Sequence, residues 1–435
     1  MLSLAIDFGT SNCAAFLADG KGTIVPIPLE GEGLLLPSVI FSEGNEHDGV
    51  VTQQKNQGPI LFGKAALQAY YQDPLSGTLI RSPKSFLGST IDDRAQAYFQ
   101  VAIENILRHI KTLAEAHPMS LSLKDSSGKG IESVILGRPV NFQGAAVHDG
   151  NSQAVSIMSN AAKAVGFTDI QFLMEPMAAA LEFERTLTAE STVLIVDIGG
   201  GTTDCVVLQS SPERYGQFDR AGDVLAQSGD RVGGTDFDQS LAWHSLMPLL
   251  GRDEVLPTGM PIPNSMHMDA ICTRDVPAQY RFSRSQRKIE LLIKEVGDSE
   301  LLERFLWVQE NNLQHRLISS AENAKIELSS ASDVVANLDF VEEGLAQAIN
   351  RDDFEVANTY STRKVLAVVQ EALDQASKKP NLVFVTGGMG NSPMLRAHIA
   401  NLIGDQAQVK AGDMLCSVGR GLGIYANQYS AMRLA

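Results

Sequence analysis

The sequence contains the same short arrangement twice: an apolar strand, an aspartate, a glycine turn and a second strand. The first copy, Leu2–Cys13, reads Leu-Ser-Leu-Ala-Ile-Asp-Phe-Gly-Thr-Ser-Asn-Cys, and the second, Val193–Cys205, reads Val-Leu-Ile-Val-Asp-Ile-Gly-Gly-Gly-Thr-Thr-Asp-Cys. The apolar residues before Asp7 and Asp197 predict buried strands. Internal repetition of this kind predicts a duplicated fold with two related lobes.

The glycine turns have the chemistry of a phosphate site. Glycines such as Gly199 to Gly201 can adopt angles closed to other residues, and their N–H groups can form an anion-binding concavity. An aspartate at the end of the preceding strand can hold a hydrated Mg²⁺ ion. A third glycine turn, Gly387-Gly388-Met389-Gly390, follows an apolar run. One such turn alone is equally compatible with an ordinary hairpin, but the repetition favours a phosphate held between two lobes.

Composition excludes several function classes. The 435 residues are enough for two or more domains, and 44% hydrophobic with 20% charged residues is ordinary for a soluble protein. A net charge of -16 argues against nucleic-acid binding. No apolar run is long enough for a membrane helix, and no secretory signal precedes Asp7. Four widely spaced cysteines indicate reduced thiols, so we expect a cytoplasmic protein.

Strands alternating with helices along the chain predict an α/β architecture. Residues 1–40 read as a β-meander of four strands that ends with Ser38–Phe41, and residues 239–320 read as a long, mostly helical insert. The predicted division has lobe I at 1–190 (core 1–41 and 131–190, outer subdomain 42–130) and lobe II at 191–435 (core 191–230 and 336–435, outer helical subdomain 231–335).

Four further segments occur in an order that points to one family. They are Glu175-Pro-Met-Ala-Ala-Ala180, Gly233-Gly-Thr-Asp-Phe-Asp238, Ser320-Ala-Glu-Asn-Ala-Lys325 and Gly387-Gly388. Together with the two aspartate turns, the chain resembles the ATPase domain of the seventy-kilodalton heat-shock chaperones (DnaK type), in the actin/hexokinase-like superfamily. The resemblance implies an actin-like ATPase fold, with two duplicated RNase H-like lobes around a nucleotide cleft.

The resemblance also implies the site residues, position by position. Asp7 and Asp197 would hold Mg²⁺. Residues implied to act in ATP hydrolysis are Lys84, Glu175, Asp197 and Thr202. Residues implied to bind ATP or ADP are Gly9, Thr10, Ser11, Gly199, Gly200, Gly201, Thr202, Gly233, Gly234, Glu322, Lys325, Ser329, Gly387 and Gly388. Pro139 resembles the hinge that links the nucleotide state to lobe motion.

Taken singly, several of these residues have simpler interpretations. Lys84 taken alone is more typical of a solvated loop. Glu175 is typical of a helix start before a proline, and Glu322 with Lys325 is typical of a surface ion pair. Two positions also depart from the family: Ile326 and Asn391 stand where basic residues pack on the adenine. Each lost cation–π contact is worth ~0.5–2 kcal/mol, so ATP binding weaker by about one to two decades is expected.

The sequence therefore predicts an ATP-dependent, slowly hydrolysing chaperone-like switch that uses Mg²⁺ and signals to an unknown protein partner. A small-molecule kinase or phosphatase of the same superfamily is the alternative, and its acceptor pocket would come from the 239–320 insert. An actin-like filament protein and a pseudo-ATPase are further readings. Because the sequence ends at Ala435 after its closing helix, we expect no client-peptide site of the usual chaperone type. We also expect neither nucleic acid nor membrane as a partner.

Overall fold

The computed structural model describes residues 2–43, 59–87, 93–123, 130–142, 150–215, 217–218, 220–404, 407–411 and 416–434. In chain order the strands are β1 (Ser3–Phe8), β2 (Asn12–Ala18), β3 (Ile24–Pro26), β4 (Leu36–Pro37), β5 (Val39–Glu43), β6 (Ile60–Phe62), β7 (Gly77–Arg81), β8 (Ser133–Arg138), β9 (Asp169–Met174), β10 (Ser191–Ile198), β11 (Thr203–Ser210), β12 (Val224–Asp230), β13 (Asp333–Asn337), β14 (Ala346–Asn350), β15 (Leu382–Thr386) and β16 (Gln408–Ala411). The helices are α1 (Gly63–Gln72), α2 (Asp93–Ala116), α3 (Pro118–Leu123), α4 (Gly150–Ala164), α5 (Glu175–Glu184), α6 (Gly234–Leu241), α7 (Ser265–Ile271), α8 (Val276–Ser283), α9 (Gln286–Val296), α10 (Glu300–Glu310), α11 (Gln314–Glu327), α12 (Arg351–Ala357), α13 (Thr359–Gln375), α14 (Pro393–Ile403) and α15 (Ser417–Leu434).

The chain divides into two compact units. The larger unit comprises Met1–Gln68, Leu79–Gly234 and Lys364–Ala435. The smaller unit comprises Ala69–Thr78 and Thr235–Arg363. Among the described residues, the smaller unit consists mainly of helices α6 to α12 with the β13–β14 hairpin.

The larger unit contains two sheets with the same topology. The first has the order β3-β2-β1-β8-β9, with the short β4 also paired to β2, and the second has the order β12-β11-β10-β15-β16. In each sheet an antiparallel hairpin, β1–β2 or β10–β11, is joined on its other side by a parallel strand, β8 or β15. This shared order is the duplication that the repeated aspartate turn predicts.

Strand β1 is buried on both faces, as the central strand of a covered sheet requires. Its even residues Leu4, Ile6 and Phe8 join the core cluster that includes buried side chains of α2 and α4. Ala5 faces the other way, into a cluster with α5, α15 and apolar residues of the second sheet. The alternation follows from the two-residue period of a strand, and it places the first sheet between two helical layers.

Small residues let two helices of the second core cluster pack closely. Gly421 of α15 lies so near Ala178 of α5 that a Cβ at Gly421 would be 1.7 Å from the Ala178 carbonyl oxygen. Phe183 at the end of α5 stacks on Phe384 of β15, with ring centroids 4.1 Å apart. Helix α5 therefore contacts α15 and a strand of the second sheet while following directly on β9 of the first.

The predicted meander is wrong in its fourth strand. The segment at Val39–Glu43 leaves the first sheet and pairs with β6 and β7 in a separate small sheet. The preceding Pro37 has no N–H with which to extend the ladder on β2, and the next amide, that of Ser38, donates instead to the Ser11 carbonyl at 2.8 Å. The strands predicted in the two repeated segments and the mostly helical character of residues 239–320 agree with the described elements.

Candidate nucleotide-binding site

The two repeated aspartates occupy equivalent places in the two sheets. Asp7 lies near the end of β1 opposite Ala14 of β2, and Asp197 lies near the end of β10 opposite Asp204 of β11. Asp197 is also aligned with Thr386, the last residue of the parallel strand β15. The duplicated topology thus presents one carboxylate from each sheet immediately before a glycine turn.

The two glycine turns contact each other. A Cβ placed on Gly200 would lie 2.1 Å from Ser11 Oγ, and one on Gly201 would lie 2.9 Å from Thr10 Oγ1. A side chain at either glycine would displace the Ser11 or Thr10 side chain of the first turn. The turn of the first repeat, which begins at Gly9, therefore faces that of the second repeat, as the sequence predicted.

Other glycines pack directly behind the second turn. The Gly234 amide donates to the Gly199 carbonyl at 2.9 Å, and a Cβ on Gly233 would lie 2.7 Å from both Gly199 O and Gly201 N. Gly387 has φ +80° and approaches both Asp197 Oδ1 and Ile198 O. The third glycine turn, which continues with Gly388, therefore lies beside the Asp197 end of β10.

Lys84 is a buried cation. It lies in a short 3-10 turn, Pro83–Phe86, whose side chains are buried. Its ammonium donates to Glu175 Oε1 at the start of α5. Desolvation alone would lower the pKa of Lys84, but the charges of Glu175 and Asp7 and the hydrogen bond outweigh it, so the pKa is raised. Lys84 is therefore not the solvated loop lysine of the simpler interpretation.

Carboxylates gather around this lysine in excess. Desolvation and the charge of Glu175 raise the pKa of Asp7 to about 7. Desolvation and the charges of Glu175, Asp204 and Asp7 raise the pKa of Asp197 well above its ordinary value. Among the described residues, Arg138 also interacts with Asp204 and Glu175. These two cations are outnumbered by the carboxylates of Asp7, Glu175, Asp197 and Asp204, so the site has the electrostatics of a place that receives a cation.

The donor set fits magnesium. Asp197 Oδ1 is buried and has no hydrogen-bond partner among the residues that the structure describes. This is uncommon for a carboxylate oxygen unless something else satisfies it. Mg²⁺ typically keeps several waters and binds through one or two carboxylates together with substrate phosphates. The two carboxylates of Asp7 and Asp197 match this requirement for a hydrated ion. In the part of the chain that the structure describes, no group of three or more His, Cys, Asp or Glu is arranged to hold a metal.

Asp204 is a residue of this cluster that the sequence reasoning did not assign to the site. Its Oδ1 accepts from the Val140 amide at 2.7 Å, directly after the predicted hinge Pro139, and it accepts a hydrogen bond from the Thr202 side chain. Its position opposite Asp197 in the hairpin is the sequence signal that could have identified it. Asp204 connects the second turn to the segment that follows β8.

Asp204 predicts a pH dependence of stability. Desolvation and the charge of Glu175 raise its pKa from 3.8 to about 7, so between these pH values the folded state binds more protons than the unfolded state. Its contribution to stability therefore falls as the pH rises from about 4 to about 7 and is constant above that. Thermal unfolding of the metal-free protein and of its Asp204→Asn variant measures this contribution. The stability of the unsubstituted protein relative to the variant should fall as the pH rises to about 7 and stay constant above that pH. Stability curves that run parallel over the whole range would contradict the assignment.

Three predicted nucleotide residues lie on or just after helix α11 in the smaller unit. Glu322 and Lys325 are on the helix and Ser329 follows it. The Lys325 ammonium is 2.8 Å from Asp238 Oδ1, and both of these side chains are largely buried. Ile326, which departs from the family, is exposed.

The second departure, Asn391, lies at the end of the third glycine turn. Arg396 of α14 donates from Nε to the Gly390 carbonyl at 2.6 Å and from Nη2 to Asn391 Oδ1 at 3.3 Å. A guanidinium therefore contacts this turn from a position five residues later than the one the family pattern indicates. Comparison with the family position by position missed this contact because Arg396 lies in helix α14, five residues after Asn391.

Two duplicated sheets whose aspartate–glycine turns meet beside a buried lysine define a phosphate-binding α/β protein. A family model described as "Hsp70 protein" matches residues 107–254 and 289–424, more than half of the chain. The chain belongs to the Hsp70 family. Members of this family bind ATP and ADP and have the actin-like ATPase fold with duplicated RNase H-like lobes, so the predicted family and fold class are confirmed.

Individual curated proteins that resemble the chain are chaperones of the same kind. The chain is similar to the chaperone protein DnaK of Mycoplasma mycoides, with 25% identity over 416 residues that make up 92% of this chain and 55% of the relative. It is similar to the chaperone protein dnaK of Emiliania huxleyi, with 23% identity over 429 residues, 92% of this chain and 56% of the relative. It is also 29% identical over 257 residues to a chaperone protein HscA homolog of Laribacter hongkongensis, covering 55% of this chain and 36% of the relative.

The chain spans about half the length of the two DnaK relatives it matches. No helix among the described residues combines the length and the apolar character that crossing a membrane requires.

Proposed function

We propose that this chain is an ATP-binding, slowly ATP-hydrolysing, chaperone-like molecular switch. The observation that carries the proposal is the contact between the two glycine turns beside the buried Lys84–Glu175 pair. Enzymes catalyse phosphoryl transfer almost entirely by positioning the reactants and stabilising the charge of the transition state. Opposed turns and a fixed ammonium supply both.

Each group has a role in this proposal. The N–H groups of Gly199 to Gly201 and the hydroxyls of Thr10, Ser11 and Thr202 hold the β- and γ-phosphates. Asp7 and Asp197 hold Mg²⁺, which neutralises phosphate charge when bound. Lys84 stabilises charge on the transferred phosphoryl group, and Glu175, which accepts a hydrogen bond from that ammonium, orients the attacking water.

Adenosine binding belongs to other residues in the proposal. Glu322, Lys325 and Ser329 contact the ribose and the adenine edge, while Gly387 and Gly388 form the turn under the adenine and the α-phosphate. Gly388 has open space around its α-carbon, with nothing within 4 Å of an added Cβ, as a backbone that a base approaches closely requires. Because the exposed Ile326 stands where the family has a basic residue that packs on the adenine, we expect weak discrimination between adenine and guanine.

The proposed switch uses the connection between the two sheets. The lobes are those predicted from the sequence, 1–190 and 191–435, and Pro139 is the proposed hinge between them. The hydrogen bond from Val140 N–H to Asp204 joins the hinge to the second turn. A nucleotide that changes the position of this turn would therefore act on the hinge, and lobe motion would signal to a protein partner in the cytoplasm.

The test is a calorimetric titration with ATP, ADP and GTP, each with and without Mg²⁺, followed by a phosphate-release assay. We expect one site per chain, Mg²⁺-dependent ATP binding and slow release of phosphate to water. A phosphorylated metabolite as product would instead identify a small-molecule kinase. Absence of nucleotide binding at millimolar concentration would remove the proposal.

A further inference from the structure

The loop that carries Lys84 is hydrogen-bonded to the first glycine turn. The Ser82 amide donates to the Ser38 carbonyl at 2.8 Å, and the Ser38 amide donates to the Ser11 carbonyl at 2.8 Å. The fully buried Ser38 hydroxyl also donates to the Gly9 carbonyl at 2.7 Å. The start of the loop is therefore connected to the first turn through a single residue.

The backbone of this loop is held in an unfavourable conformation. Ser82 has φ +55°, in the left-handed region that costs a non-glycine residue about 1–2 kcal/mol. The Ser85 amide closes a tight turn onto the Ser82 carbonyl at 2.9 Å, and Lys84 lies inside this turn. Such geometry persists only where the surroundings hold it in place, so the contacts around the loop determine where the ammonium lies.

Arg231, which lies close to the second glycine turn, binds the other end of the loop at Ser85. Its Nη2 donates to the Ser85 carbonyl at 2.9 Å. Arg231 directly follows β12, whose last residue Asp230 is paired with Thr203 beside the second turn. It also stands two residues before Gly233, which packs against that turn. A charge-assisted hydrogen bond is about twice as strong as a neutral one, so Arg231 is a firm link between the two segments.

We propose that Arg231 is a positioning residue for ATP hydrolysis, which fixes the Lys84 ammonium relative to the second glycine turn. The inference rests on the proposed ATPase function and goes beyond it. The first turn holds the loop through Ser38 and the second through Arg231, and these two connections add to the ion pair of the Lys84 ammonium with Glu175. Arg231 acts through Lys84 and is not itself required for binding the nucleotide.

A double-mutant cycle tests this inference. Arg231→Gln removes the guanidinium, and Lys84→Ala removes the group on which it is proposed to act. In the otherwise unchanged protein, Arg231→Gln should lower single-turnover hydrolysis about tenfold, since a displacement near 1 Å can cost up to about 10²-fold. The Kd for ATP should stay within about twofold. In the Lys84→Ala background the same substitution should have no further effect, because coupled residues are not additive.

Controls separate positioning from stability and from direct phosphate contact. Arg231→Lys keeps a positive charge and should hydrolyse ATP faster than Arg231→Gln. If Arg231→Gln does not fold, Arg231→Lys replaces it in the double-mutant cycle. Arg252→Gln, which removes another guanidinium–carbonyl bond in the smaller unit, should leave the rate unchanged. An undiminished effect in the Lys84→Ala background would show that Arg231 acts on the phosphate itself, and no effect in either background would also overturn the inference. If the unsubstituted protein binds ATP but does not hydrolyse it, the proposed function fails and this inference fails with it.

Discussion

Replacing Lys84 by alanine is expected to lower ATP turnover roughly 10²–10³-fold, the usual effect of removing one transition-state donor. The substitution removes the cation from a cluster in which Asp7, Asp197 and Glu175 are all nearby, so the charge that develops on the phosphoryl oxygens loses its buried partner. ATP binding should weaken far less, because the glycine turns remain. Single-turnover hydrolysis and a parallel titration measure the two effects.

Two further variants make this result interpretable. Lys64→Ala removes a lysine whose side chain is 73% exposed and whose ammonium is 3.9 Å from a carboxylate oxygen of Glu30, a weak surface pair. This variant should leave turnover unchanged. Because Lys84→Ala removes the partner of Glu175, some loss of thermal stability is expected as well. Lys84→Arg is the second variant, and it keeps the positive charge but changes its position. Undiminished hydrolysis by a folded Lys84→Ala protein would remove Lys84 from the catalytic residues.

Gly233→Ala is expected to weaken ATP binding by about one to two orders of magnitude. The new Cβ would lie 2.7 Å from Gly199 O and Gly201 N, and these are backbone atoms of the second turn, which cannot rotate away as a side chain can. Overpacking of this kind costs about 1–3 kcal/mol, and each 1.4 kcal/mol lost from binding is about tenfold in Kd. Titration with ATP in the presence of Mg²⁺ measures the effect.

Gly222 offers a matched control for the glycine substitution. Nothing lies within 4 Å of a Cβ added there, and its backbone is not in the left-handed region, so Gly222→Ala should bind ATP as the unsubstituted protein does. If Gly233→Ala also bound normally, the second turn would not be the part of the chain that holds phosphate.

The sequence was sufficient to predict the features that depend on local pattern. Strands, glycine turns and their repetition have short-range signatures, so both sheets and the contacting turns could be expected before the structure was known. The burial of Cys13 and Cys205 at equivalent second strands follows from the same repetition. Family resemblance then added Lys84 and Glu175, whose individual patterns would not have distinguished them from ordinary surface residues.

Contacts between distant segments were not predictable in this way. Ser38 and Arg231 hold the Lys84 loop, yet neither lies in a periodic or repeated pattern. Lys325 pairs with Asp238 across the fold of the smaller unit, a partner that helical spacing does not predict. In each case the partner is set by tertiary packing, which sequence spacing does not record. The misassigned fourth strand has the same origin, because the Ser38 amide bonds to a turn rather than to a neighbouring strand.

The central claim is that two aspartate–glycine turns hold one metal-bound polyphosphate. The most direct measurement is calorimetric titration of the unsubstituted protein, Asp7→Asn and Asp197→Asn with ATP, in Mg²⁺ and in EDTA. The account predicts one ATP per chain, tighter binding in Mg²⁺ than in EDTA, and loss of that Mg²⁺-dependent gain in each variant. Full Mg²⁺-dependent binding by either variant, or binding that ignores Mg²⁺ in the unsubstituted protein, would contradict it.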